Sequence, residues 1–261
     1  MVKYLIFGGD SFVERNGITW PTHVLKDGRF REGLNVGLGA MSNKYIRMSV
    51  IWAVKKLISE DINTSDIVVM VSWSGPSRNL LYTDMYDAHL AKTFRGFKIK
   101  TDFTDSASSK GFTYMPLCSP WDSPTNDLYY KHIEVENNSI INSLHDILFL
   151  QEFLTNRGIK YLMTTSWNII DTTYDTWTTD LNEPTDTSIA TCEKLNLPEF
   201  KWICDLIDWD KFIPVKGQWE WTNKMFKGRE SHPDSHHPLD HEHELFANQM
   251  IIPHYNKLYE R

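Results

Sequence analysis

Four short stretches of the chain hold side chains suited to nucleophilic chemistry. GGDSF, Gly8 to Phe12, presents the Ser11 hydroxyl directly after a glycine pair. GLGAMSN, Gly37 to Asn43, includes Gly39, whose backbone N–H can be approached by an oxyanion because no side chain covers it. SWSGPSR, Ser72 to Arg78, supplies hydroxyls and a guanidinium. SHPDSHHPLDHEHE, Ser231 to Glu244, gathers five of the ten histidines, and within it Asp234 and His237 stand three residues apart before Pro238. That spacing lets the carboxylate turn back and hold the imidazole, which could then act as general base toward Ser11.

Residues this far apart in the chain need a scaffold that collects loops. KYLIF, Lys3 to Phe7, is an apolar run stopped by glycine, as in a buried parallel strand entering a tight turn. DIVVMVSW, Asp66 to Trp73, and KYLMTTSW, Lys160 to Trp167, read as two more central strands. TWPTHVL is expected to start a short helix with Pro21 in its first turn. Between the strands, Ile46, Val50, Ile51, Val54, Leu57 and Ile58 recur at helical spacing, with Ser42 or Asn43 as the cap. SIINSLHDILFLQEFLTNRG gives a second amphipathic helix closed by Gly158, and Asp240 to about Tyr259 a terminal one with Leu245, Phe246, Met250 and Ile251 inward. Strands alternating with helices predict an α/β, doubly wound, mainly parallel sheet flanked by helices. A chain of 261 residues is expected to form a single domain over 1–261, with irregular insertions at about 76–134 and 168–229. In such sheets chemistry collects at the carboxyl ends of the strands, where Ser11 and the Ser72–Arg78 stretch fall.

Bulk composition excludes some functions. A net charge of -7 lacks the basic face a general nucleic-acid binder needs. No apolar run is long enough to span a bilayer, and MVKYLIFGGD turns polar too soon for a signal peptide, so a cytoplasmic location with no membrane partner is expected. Cys118, Cys192 and Cys204 are odd in number and lack metal-ligand spacing, which predicts thiols rather than disulfides.

GGDS, then N-x-G-x-G-x-x-S-N from Asn35 to Asn43, a strand ending W-S-x-x-x-R at Arg78, and D-x-x-H-P at Asp234 to Pro238 together resemble the SGNH (GDSL-like) hydrolase superfamily. The flavour is that of SGNH-like proteins often found in phages, which would place the chain in a host cell. The resemblance implies a flavodoxin-like three-layer sandwich. It implies Ser11 as nucleophile, His237 as base, Asp234 as the partner of that base, and the N–H groups of Ser11 and Gly39 as oxyanion donors. It also implies no cofactor and a small-molecule or glycan ester as partner. The chain departs from the pattern at the third block, where an asparagine is usual and Ser72, Trp73, Ser74 and Gly75 stand instead. Ser74 is the expected substitute donor, completed by Asn43 or Arg78, and losing such a donor costs on the order of 10²-fold or more in rate. Asn43, Trp73 and Arg78 are the candidate substrate contacts, although Arg78 serves equally as an ion-pair anchor.

Rival readings of the same residues remain. Ser74 as nucleophile lacks the glycines of a G-x-S-x-G elbow. A zinc site from His237, His241 and an acid is opposed by Pro238 and by the absence of an HExxH order, so no metal is expected. His232, His236, His241 and His243 then read as a solvated helix entry capped by Asp240, with Glu242 and Glu244 favourable in the first turn. Trp167, Trp177, Trp202, Trp209, Trp219 and Trp221 either build a small core or stack on sugar rings. The functional expectation is a serine esterase acting on small O-acyl groups, acetate among them, on carbohydrate. The alternatives are a non-catalytic glycan- or protein-binding module with a decayed site, and an O-acyltransferase using the same nucleophile.

Overall fold

A computed structural model describes residues 3–14, 18–39, 41–83, 113–117, 124–133, 135–168, 193–226 and 237–260. β1 (Lys3–Gly8), α1 (Trp20–Leu25), β2 (Phe30–Asn35), α2 (Asn43–Ser59) and β3 (Ile67–Trp73) follow in order. After them come β4 (Asn79–Thr83), β5 (Thr113–Leu117), α3 (Pro124–His132), α4 (Glu136–Thr155) and β6 (Lys160–Thr165). The chain then forms α5 (Pro198–Cys204), α6 (Gln218–Met225), α7 (Asp240–Phe246) and α8 (Ile252–Tyr259).

Four parallel strands form one sheet in the order β2-β1-β3-β6, and β4 and β5 pair antiparallel apart from it. An extended segment continues the sheet past β6, since Ile213 N–H donates to Met163 O at 2.8 Å. Side chains alternate across the strands as the period of two requires. Ile6, Val69, Val71, Trp73 and Met163 face a core completed by α2, α4 and α5. Leu5, Phe7, Val68, Met70 and Leu162 face a second core that holds Trp20, Trp221, Phe246, Ile251 and Tyr255. The architecture is therefore an α/β three-layer fold, helix on sheet on helix.

The local signals explain the helices. Ser42 caps α2, its hydroxyl accepting from Tyr45 N–H at 3.3 Å. Pro21 sits in the first turn of α1, and Gly158, at φ 64°, follows the end of α4. Between α7 and α8 the turn Ala247–Ile251 is a π turn just before Pro253, whose missing N–H removes one ladder bond. Among the described residues no helix is long and apolar enough to cross a membrane. Cys204 is a buried free thiol, its pKa pushed up to about 11 by burial, while Cys118 and Cys192 lie outside the described residues.

Two features go beyond the sequence reading. FREGLN forms β2, an edge strand with charged residues and a glycine in place of an apolar run. The segments read as irregular also contain short elements: β4, β5 and α3 in the first, α5 and α6 in the second.

Candidate active site

The carboxyl ends of β1, β3 and β6 converge on one buried acid, Asp10, the residue after the glycine pair. Its Oδ1 accepts from Phe12 N–H at 3.1 Å and from the Ser166 hydroxyl at 2.7 Å, while its Oδ2 accepts from Arg78 Nη1 at 3.1 Å. Val13 N–H closes the turn on Asp10 O at 3.0 Å. A carboxylate with no exposed surface is tolerated only when hydrogen bonded in this way, and here each of three strand ends contributes a donor. Ser72 Oγ lies 3.0 Å from Ser166 Oγ and extends the network between β3 and β6.

The turn that Asp10 organises carries Ser11 outward. Ser11 Oγ lies 2.6 Å from His237 Nε2, across 226 residues of sequence. His237 enters just before α7, and its ring packs at 5.3 Å on Phe12, the buried residue after the serine. Asp234, the expected partner of His237, lies outside the described residues, as do His232, His236 and Trp177.

Gly39 reaches the same place because its loop is stapled to β1. Val36 N–H donates to Phe7 O at 2.8 Å and Leu38 N–H to Gly9 O at 3.1 Å, while the Asn35 amide donates to Val13 O at 2.6 Å. A Cβ on Gly39 would stand 3.7 Å from the Ser11 Cβ and 3.0 Å from Glu14 Oε2, so the Gly39 backbone comes close to both residues. Ser11, Gly39 and His237 thus share one small region.

The third block is built differently from the expectation. Ser74 is fully buried, and its hydroxyl accepts from Arg78 Nη1 at 3.0 Å. Asn43 is not a substrate contact: one amide N–H donates to Ser74 O at 3.0 Å, another to Ser143 Oγ at 2.9 Å, and its oxygen accepts from Ser74 N–H at 2.8 Å. With both donors and the acceptor engaged, it fixes the end of β3 to α4. Trp73 is not a substrate contact either, because it points with Val69 and Val71 into the α2–α4 core and has no exposed surface. Arg78 is an anchor, joined to Asp10 and Ser74 and stacked at 4.6 Å over the Trp167 ring.

Two aromatic residues thus change places. Trp167, just past β6, is half-buried and makes an edge contact with Phe12 at 4.7 Å, so it borders the site that Trp73 does not reach. The signal was present, since KYLMTTSW has the same polar end as DIVVMVSW and lies in the adjacent parallel strand. Asp10 could also have been read, as an Asx turn beside an arginine partner. Among the other tryptophans, Trp219 and Trp221 are buried and Trp202 is exposed.

The histidines after His237 are not uniformly solvated. His241 is exposed and edge-on to Phe226 at 5.3 Å, whereas His243 is buried with its Nδ1 2.8 Å from Gln218 Nε2. Leu239, not Asp240, is the cap of α7, and its N–H donates to the buried Glu242 carboxylate at 2.7 Å. Among the described residues no three His, Cys, Asp or Glu side chains converge as ligands of one ion.

The chain matches no family model, no curated protein and no solved structure.

Proposed function

We propose that this chain is a serine hydrolase of the SGNH-like class, cleaving small O-acyl esters through an acyl-enzyme. The observation that carries the reading is the 2.6 Å approach of Ser11 Oγ to His237 Nε2. His237 takes the Ser11 proton as the oxygen attacks the ester carbonyl, then delivers it to the leaving alcohol, and water clears the acyl group by the same route. Gly39 N–H and Ser11 N–H polarise the carbonyl, and in this reading the role of orienting the imidazole falls to Asp234. Carbohydrate is the favoured carrier of the ester, with the half-buried Trp167 as a stacking surface beside the site.

The test is steady-state hydrolysis of a short p-nitrophenyl ester by wild type and Ser11→Ala, with thermal melts as folding control. Ser11→Ala is expected to lose about 10⁴-fold or more in kcat with an unchanged melt. A fluorophosphonate should label Ser11 alone. A second reading, a binding module on the same fold, is favoured by the Ser74 hydroxyl already held by Arg78, where an oxyanion donor is expected. Absence of turnover on every short ester and acetylated sugar selects that reading, and labelling at Ser74 would mean the nucleophile is misassigned.

A further inference from the structure

We infer that Glu14 makes the site selective for the charge of the acyl group, favouring acyl groups that carry an ammonium over those that carry a carboxylate. The inference rests on the hydrolase reading above and names a substrate class for the same site.

Glu14 sits three residues after the nucleophile on a turn that leaves it little freedom. Phe12 and Val13 between them are fully buried, their N–H groups are bound to Asp10, and Val13 O accepts from the Asn35 amide at 2.6 Å. The Glu14 side chain folds back from this pinned backbone toward Gly39. One carbon-sized point, the place of a Cβ on Gly39, lies 3.0 Å from Glu14 Oε2 and 3.7 Å from the Ser11 Cβ. The carboxylate and the nucleophile therefore flank the same space, beside the glycine proposed to receive the oxyanion.

The two acids of this turn have opposite circumstances. Asp10 is buried and engaged by donors from two neighbouring strand ends and its own turn. Glu14 is partly exposed, and among the described residues no hydrogen bond or salt bridge engages its carboxylate. A negative charge beside a developing oxyanion slows acyl transfer, because like charges repel. A substrate ammonium placed in that space reverses the sign. It pairs with Glu14, and the residue that hinders a neutral acyl group assists an aminoacyl one. Glu14 is not the base, since His237 Nε2 already meets Ser11 Oγ.

The experiment compares kcat/KM for three p-nitrophenyl esters of nearly equal size, the β-alaninate, the butyrate and the hemisuccinate, each corrected for spontaneous hydrolysis. Wild type is expected to prefer the β-alaninate over the hemisuccinate by about tenfold or more, since charge complementarity acts mainly on specificity. Glu14→Gln should bring that ratio toward one and raise butyrate turnover, and Glu14→Lys should invert the preference. Butyrate turnover with no charge preference in wild type, or with a preference unmoved in both variants, overturns the role of Glu14 and leaves the hydrolase reading standing. If wild type turns over none of the three, the hydrolase reading falls and this inference falls with it.

Discussion

The two ends of the sheet use the same ion types in opposite ways. At the carboxyl ends, Asp10 has no exposed surface and its partner Arg78 is 12% exposed. At the amino ends, Lys3 at the start of β1 and Arg29 before β2 meet Glu260 after α8, and all three side chains are between 19% and 29% exposed. Tyr259 of α8 caps β6 from the same side, its hydroxyl donating to Tyr161 O at 2.8 Å. The amino end is thus a clasp in which α8 gathers strand starts through screened, replaceable contacts. The carboxyl end is a fixed lattice in which no member can leave without stranding another. Burial, rather than the number of ion pairs, separates a region that orients a site from one that closes a fold.

Arg78→Ala should break that contrast most visibly. It leaves the Asp10 carboxylate buried without its cation, at a cost of about 3–5 kcal/mol, and loosens the turn that carries Ser11. The expected outcome is a fall in melting temperature of about 10 °C and a drop in ester kcat larger than any change in KM. Replacing the pair together, Asp10→Asn with Arg78→Met, should recover most of the stability without recovering the rate. A double variant as fast as wild type would show that the pair supports the fold alone.

Asp146 sharpens the comparison as an intermediate case. Its carboxylate is 11% exposed and meets Arg47 Nη1 at 2.9 Å, without the lattice that surrounds Asp10. Desolvation pushes its pKa up to about 6, against the opposing pull of Arg47 and Lys44. A folded-state pKa above the unfolded value means the folded chain holds the extra proton, so this group lowers stability as pH rises from about 4 to about 6. Asp146→Asn should remove that slope, raising the melting temperature at pH 7 relative to wild type more than at pH 4. Melts across this range check it, and a variant less stable at both pH values would show that the Arg47 pair outweighs the desolvation.

The central layer was legible in the sequence because its signals are local. IVVMV and KYLIF are strands whichever neighbours they find, and the α2 and α4 stripes fix which helix faces turn inward. β2 was not legible, because an edge strand needs only one apolar face and Phe30–Asn35 offers two charges and a glycine. Ser11, Gly39 and His237 were placed by motif spacing, and the structure brings them together. Asp10 and Ser166 escaped because their meaning is topological. A polar residue at the end of one strand becomes a network only when the sheet order puts two other polar strand ends beside it. Trp73 and Trp167 show the limit most plainly. Each follows a serine, but Trp73 is the last residue of β3 and faces the core, whereas Trp167 lies past β6 and is free of that alternation.

The smallest expected effect lies at the clasp. Desolvation works against the Glu260 carboxylate, but hydrogen bonds and charge from Arg29 and Lys3 outweigh it and hold the pKa below the usual glutamate value. A depressed carboxylate pKa stabilises the fold above the unfolded-state value, and that contribution is lost as pH falls through the folded one. Because the pairs lie at the surface, they should contribute no more than about 1 kcal/mol, so Glu260→Gln should lower the melting temperature by at most about 3 °C at neutral pH and low salt. The difference should vanish in 1 M salt, where screening reaches about 3 Å, and also once pH falls through the lowered Glu260 pKa, where wild type is itself protonated. Ester turnover should not change, since the clasp and the lattice occupy opposite ends of the strands. A loss comparable to that of Arg78→Ala, or a loss unaffected by salt, would mean the amino-end contacts behave as buried ones and that exposure does not divide the two regions.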